Sequence, residues 1–309
     1  MENYGELNQN ENFLKPKRHY PKMLYFCGSI LAIMLVGHYV VSAPNNFPSG
    51  KIFEVSSGDT LRSVSLHLKS QGIIRSRLLF ESFVILYGGD RHIIRADYLF
   101  EQKLNVYEVA RRISSGDRHI SKISVTIPEG FNNNEIALTA TSKLPSFDPK
   151  VFLEKAKVKQ GYLFPDTYFF FSTDGENEVF QNMSQTFEKK IAPLRAQISA
   201  SGKSEKDIIN MAALLEKEAR GDGDRNIISG ILWQRIKIGM PLQADAARET
   251  YEHKGLPALP IGNPGLEAID AAMHPKSSSY LYYLHDKLGV AHYARTLSEH
   301  NQNINKYLR

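Results

Sequence analysis

The 309-residue chain carries one cysteine, Cys27, which excludes an intramolecular disulfide and a cysteine-built metal cluster. It has no long basic stripe with interleaved aromatics, and its net charge of +5 is mild, so nucleic acid is not an expected partner. No GxSxG elbow, P-loop or dinucleotide fingerprint occurs. Internal repeats at solenoid spacing and low-complexity tracts are missing too. His292 and His300 lack the helical spacing of a zinc motif, so no metal site is expected. A hydrophobic share of 42% against 23% charged residues is that of a folded protein, and the length suits about two domains.

The most informative absence is local. Asp, Glu, Lys and Arg are all missing from residues 23–50, where "MLYFCGSILAIMLVGHYVV" supplies 19 mostly apolar residues. A helix of that length rises about 28 Å, close to the apolar thickness of a bilayer. Lys15, Lys17, Arg18 and Lys22 precede it, so the positive-inside rule predicts a cytoplasmic tail at 1–22 and a membrane helix at 23–42. The remainder is then expected outside the cytoplasm. Val41-Ser42-Ala43 is the alternative, a signal-peptide cleavage site, which Pro44 and the long polar N-terminal region oppose.

Residues 43–50, "APNNFPSG", read as a linker. The stretch 51–120 alternates short strands with amphipathic helices and predicts a small α+β domain. Its pieces are "KIFE", a helix after the Ser-Gly-Asp turn, "SRLLFESFVILYG", "DYLFEQ" and "NVYEVARRISSG". From 121 to 309 the pattern is mainly helical, with a strand at "ISVTI", a long helix at 176–200, and two strands at "SYLYYLH" and "VAHYAR".

Within that second part, "MAALLEKEA" poses a choice between Glu216 and Glu218. Ser204 and Asp207 mark the helix start. With Met211 at zero on the helical wheel, Leu215 falls at about +40°, Leu214 at about −60° and Glu218 at about −20°. Glu216 falls at about +140°, toward the flank or back. Glu218 is therefore the acid expected at the core or a cleft. An apolar surrounding there disfavours the charged carboxylate and keeps a proton available for acid chemistry. The plain alternative is a solvated carboxylate at a frayed helix end beside Arg220.

Seven strings in order carry a resemblance: "FEVSSGDTLRSVSLHL", "IPEGFNNNEIA", "GYLFPDTY", "MAALLEKEA", "ILWQRIKIGMPLQAD", "GLPALPIGNPGLEAIDAAMHP" and "YLYYLHDKLGVAHYARTLSEHN". Over residues 23–309 the chain resembles the MltG (YceG-like) family of membrane-anchored endolytic murein transglycosylases. The resemblance implies an inner-membrane protein with a LysM-like domain at 51–120 and a catalytic domain at 121–309, facing the periplasm. It also implies cleavage of peptidoglycan strands between MurNAc and GlcNAc with formation of 1,6-anhydro ends. Glu218 then corresponds to the family's catalytic acid. Neither a cofactor nor a second carboxylate is required, because the MurNAc 6-hydroxyl is the nucleophile. Peptidoglycan synthases are candidate partners.

Candidate substrate contacts are Tyr162, Phe164 and Tyr168 for stacking on sugars, and Asp166 for a hydroxyl, although Pro165 equally suits a rigid turn. Gln243 and Asp245 are candidates to bind substrate or orient Glu218, and Asn263 sits in a turn before a helix. His292, Glu299, His300 and Asn301 group near the last strands. Two departures from the family stand out. "QADAARETYEHKGLPALP" runs across where a longer segment is usual, and Gln160 replaces a usual Glu. If the shortened segment lines the cleft, activity falls. The competing class is then a murein-binding scaffold with a disabled cleft, and a membrane-tethered hydrolase is a third.

Overall fold

The structure, a computed structural model, describes residues 20–56, 58–88, 93–219 and 223–309. Lys15, Lys17, Arg18 and Arg220 lie outside the described residues. The fold is α+β, with one N-terminal apolar helix and short strands. It divides between Ile120 and Ser121 into two units.

Helix α1, Tyr20–Val41, includes a stretch from Lys22 to Val41 with mean hydropathy 1.9, none of it buried. Its length and apolar surface fit a single-pass membrane anchor. The stretch 43–50 is packed rather than extended. Phe47 is buried and meets the Phe100 ring edge-on at 6.1 Å, and Arg75 Nη2 donates to the Ala43 carbonyl at 3.0 Å. An apolar side chain in this Pro-rich segment found the neighbouring core.

In the first unit, β1 (Lys51–Glu54) pairs antiparallel with β2 (Asp97–Phe100). Between them run α2 (Leu61–Ser70) and α3 (Arg77–Leu86), and α4 (Val106–Ser115) follows. A reciprocal Thr60–Ser63 capping box starts α2, and Asn105 caps α4 by accepting from the Glu108 amide. The core holds Leu68, Phe80, Val84, Tyr98 and Ile113, and the buried Tyr98 hydroxyl donates to the Ile94 carbonyl at 2.6 Å.

The second unit begins with β3 (Lys122–Thr126), α5 (Asn133–Thr141) and α6 (Pro149–Ala156). Strand β4, Thr167–Phe171, pairs antiparallel with β3. This strand falls where only a turn was expected after Pro165, because four of its residues are aromatic and suit a half-buried pleat. The long helix expected at 176–200 is interrupted. It runs as α7 (Glu176–Ile191), a 3₁₀ turn at Ala192–Leu194 and α8 (Arg195–Ala200), since Pro193 has no amide to continue the ladder.

Helix α9, Glu205–Glu218, is the centre of this unit: every residue from Ile208 to Leu215 is buried. Around it pack α8, α10 (Arg225–Lys237) and α12 (Leu266–Met273), and a short α11 (Glu249–Glu252) precedes the last of these. Each fully buried Leu, Ile or Met contributes about 1.5–3 kcal/mol. A hairpin of β5 (Tyr282–His285) and β6 (Ala291–Ala294), then α13 (Leu297–Tyr307), completes the chain.

Asn263 ties the motifs of this unit together. It is fully buried, and its Oδ1 accepts from the Gly161 and Leu163 amides at 2.8 and 2.9 Å. Its Nδ2 donates to the Phe131 carbonyl at 2.9 Å. Next to it, a Cβ on Gly262 would stand 2.3 Å from the Gly130 carbonyl oxygen. Gly262→Ala is therefore expected to lower stability by about 1–3 kcal/mol through overpacking, read as a fall in the thermal midpoint. An unchanged midpoint would show that this close approach is not a constraint.

Candidate active site

Glu218 ends α9, where the buried helix reaches a cleft of about 520 Å³. Its Oε2 accepts from the Tyr283 hydroxyl at 3.0 Å and its Oε1 from the Ala246 amide at 3.4 Å. Burial and the nearby Glu218 charge push the Tyr283 phenol well above its ordinary value, so it stays protonated and donates. The surroundings are polar rather than the apolar wall expected, because β5 and the loop after Asp245 bring hydroxyl and amide donors to the helix end.

The helical wheel put Glu216 toward the flank or back. Its side chain is instead only 7% exposed, since Arg225 and the Gly265 turn close over that part of α9, while Lys217 beside it stays exposed. Glu216 accepts from the Gly265 amide at 3.0 Å and pairs with Arg225 at 3.3 Å. Burial, then the Glu216 charge, raises the carboxyl of Glu129 from the neighbouring turn. The two glutamates thus differ in surroundings. One is fully occupied by the fold, and the other lines open space.

Gln243 and Asp245 line the same cleft as Glu218. Gln243 has φ +51°, a left-handed conformation uncommon for a side-chain-bearing residue. Asp245 Oδ1 accepts from the Tyr251 hydroxyl at 2.5 Å, a contact that raises the Tyr251 phenol. Tyr162, Phe164, Asp166 and Asn263 do not line this cleft. Tyr162 meets Phe187 at 5.1 Å and borders a separate shallow groove with Leu259 and Pro260. Phe164 is buried, Tyr168 is buried and donates to the Phe164 carbonyl, and Asp166 accepts from the Thr167 amide. Gln160 donates to the Pro260 carbonyl at 2.8 Å.

Of the last group, His300 lines the cleft and stacks on Tyr282, whereas His292 pairs with Asp286 and stacks on Tyr307. Glu299 accepts from the Arg295 amide, and Asn301 is exposed. The cleft residues missed by sequence reasoning are Arg235, Tyr251, Tyr282, Tyr283 and His285. The alternation in "YLYYLH" puts Tyr283 and His285 on one face of a strand, which is the signal that was available. His285 Nε2 is held by Asp224 at 2.7 Å.

A family model described as "YceG-like family" matches residues 53–249 and 249–306. The chain belongs to the YceG-like family. The two matched pieces meet at Glu249. Among curated relatives is the endolytic murein transglycosylase of Bacillus subtilis (strain 168), 25% identical over 82% of this chain and 84% of that protein. Another is the endolytic murein transglycosylase of Streptococcus pneumoniae serotype 2 (strain D39 / NCTC 7466), 21% identical over 82% of this chain. The alignment there spans only 58% of the pneumococcal protein. A crystal structure of a YceG-like protein from Listeria monocytogenes matches with a TM-score of 0.55 and 23% identity, covering 82% of this chain and 99% of that one. That likeness is one of fold.

The loop between Gln243 and Thr250 is closed by Thr250. Its Oγ1 accepts from the Ala244 amide at 2.9 Å and donates to the Ala247 carbonyl at 2.6 Å, while its carbonyl accepts from the Gln243 amide. Thr250→Val removes the hydroxyl at constant shape and leaves buried groups unpaired, so a loss of about 1–3 kcal/mol is expected. Amide exchange at Ala244 should accelerate with it. Unaltered exchange there would show that another contact closes the loop.

Proposed function

We propose that the chain is a membrane-anchored endolytic murein transglycosylase in which Glu218 acts first as acid and then as base. The observation that carries this reading is the Glu218 carboxyl on the wall of an open cleft, gripped by Tyr283 and Ala246. Its supports are the family membership and the printed activity of the relatives.

In the proposed reaction the glycan strand lies in the cleft with its MurNAc–GlcNAc bond at Glu218. The carboxyl proton passes to the glycosidic oxygen as the bond from MurNAc C1 breaks. The resulting carboxylate takes the proton of the MurNAc 6-hydroxyl, whose oxygen closes on C1. This regenerates the acid and leaves a 1,6-anhydro end. Tyr283 keeps the carboxyl in one orientation by donating to Oε2, and the looser contact at Oε1 suits that oxygen to carry the proton. Gln243 and Asp245 are assigned to substrate contact or to orientation of Glu218. For Tyr162, Phe164 and Asp166 the proposal is limited to a remote stretch of strand. Asn263, enclosed by backbone partners, is assigned to holding the loops.

The wider assignment follows from the same reading. Residues 1–22 are cytoplasmic, 23–42 cross the inner membrane, 43–50 join membrane to domain, and 51–120 and 121–309 face the periplasm. The order strand–helix–helix–strand with antiparallel β1 and β2 supports a LysM-like, murein-binding role for the first domain. Peptidoglycan synthases are the proposed protein partners.

Asp245 in the same cleft favours one alternative, hydrolysis, in which a second carboxylate activates water. The products decide. Full-length protein in detergent is expected to release anhydro-ended muropeptides from murein, detected by mass spectrometry. Reducing ends instead would establish a hydrolase, and murein binding without new ends would establish the scaffold. Glu218→Gln should lower kcat by about 10²–10⁴-fold. Glu216→Gln should leave the chemistry largely in place while costing about 3 kcal/mol of stability, because it breaks a nearly buried ion pair. Equal loss of kcat in both variants, with folding intact, would overturn the assignment of Glu218.

A further inference from the structure

Arg235 is the least explained group in the cleft. It is only 5% exposed, yet among the described residues no carboxylate pairs with it. Its Nε donates to the Leu281 carbonyl at 2.7 Å and its Nη1 to the Leu242 carbonyl at 2.5 Å. Among the described residues Nη2 has no hydrogen-bond partner, and the side chain lines the cleft beside Glu218. The guanidinium lies 5.3 Å from the centre of the Tyr282 ring. Two backbone carbonyls and the ring fix its plane.

A buried cation without a counter-ion is costly, and an arginine is the side chain least able to escape by losing its proton. Burial pulls Arg235 below its ordinary value, with Glu218 among the nearby groups that oppose the shift. The field reaches further: burial first, and then the Arg235 charge, depress the imidazole of His300. Lys217 also lines the cleft but is exposed, where water already solvates its ammonium. The wall formed by Arg235, Tyr282 and His300 is thus a fixed positive surface with one free donor edge.

We infer that Arg235 is a substrate-binding residue that takes a carboxylate of the murein chain through its free guanidinium edge. The inference rests on the transglycosylase reading for the identity of the ligand. The sugar rings of a glycan strand are neutral, so the anion comes from the lactyl side chain of MurNAc. That carboxylate is either free, on strands stripped of peptide, or replaced by an amide whose stem peptide carries carboxylates of its own. Both sources present the same chemistry to a planar donor.

The test works from the substrate side, because Arg235 also holds two backbone segments and its removal can loosen the fold. Short glycan strands are prepared with stems and after removal of stems, and half of each set has its carboxylates converted to neutral amides. Binding to full-length Glu218→Gln protein in detergent is measured for all four. Neutralisation is expected to weaken binding on the order of tenfold for one pair, and that pair names the source. In the added variant Arg235→Gln this sensitivity should vanish, and in Arg235→Lys part of it should survive. Equal dissociation constants for charged and neutral strands in both pairs overturn the proposal. Cleavage by the wild-type protein is scored separately. Its absence alongside charge-dependent binding would sink the transglycosylase reading and leave this one standing.

Discussion

The second unit depends on the enclosure of the middle of one helix. Residues Ile208 to Leu215 have no solvent face, so α9 cannot shift without uncovering a core shared with α8, α10 and α12. An enclosed helix must satisfy its polar groups at its ends. At the start, the Ser204 hydroxyl accepts from the Asp207 amide and donates to the Asp207 carboxylate. Near the other end, Glu216 is consumed by Arg225 and the Gly265 amide, and Glu218 is the acid left facing a cavity. The rigidity that fixes the carboxyl is therefore the same burial that stabilises the domain.

Around that axis the motifs divide their labour. "IPEG", "GYLFPD" and "IGNPG" converge on Asn263, whose amide satisfies backbone groups from two other segments. A single Asn does this because its side chain offers acceptor and donor together, matching the backbone's own chemistry. "GMPLQAD" and the final hairpin instead supply the cleft. Strings that stand together along the chain thus belong to two physical tasks, one closing the loops against α9 and the other shaping the space beside Glu218. The loop from Gln243 to Thr250 leaves no gap in this scheme, since the Thr250 hydroxyl and backbone seal it with hydrogen bonds.

Much of the architecture was legible because it is written in short-range signals. The uncharged stretch before Lys51, the cap at Ser204 and the helical period of α9 each act within a few residues. Where local signals conflicted, reading was less complete. Strand β4 was hidden behind Pro165, and Pro193 splits a run that otherwise reads as one helix. The segment 43–50 has the composition of a linker, yet one buried Phe47 is enough to dock it.

The candidate site shows the boundary most clearly. By itself the sequence determined that two acids end an apolar helix, that they point in different directions, and that an uncharged helix long enough to cross a membrane precedes them. What each acid meets was decided only by tertiary structure. The hydroxyl on Glu218 comes from Tyr283, 65 positions away, and the amide on Glu216 from Gly265, 49 positions away. A wheel knows the direction of a side chain within its own helix, but hydration, pairing and burial are set by whatever the rest of the chain brings to that direction. Arg235 makes the same point: its sequence neighbours read as an ordinary helix end, and its burial depends on the later hairpin, which brings Leu281 and Tyr282 against it.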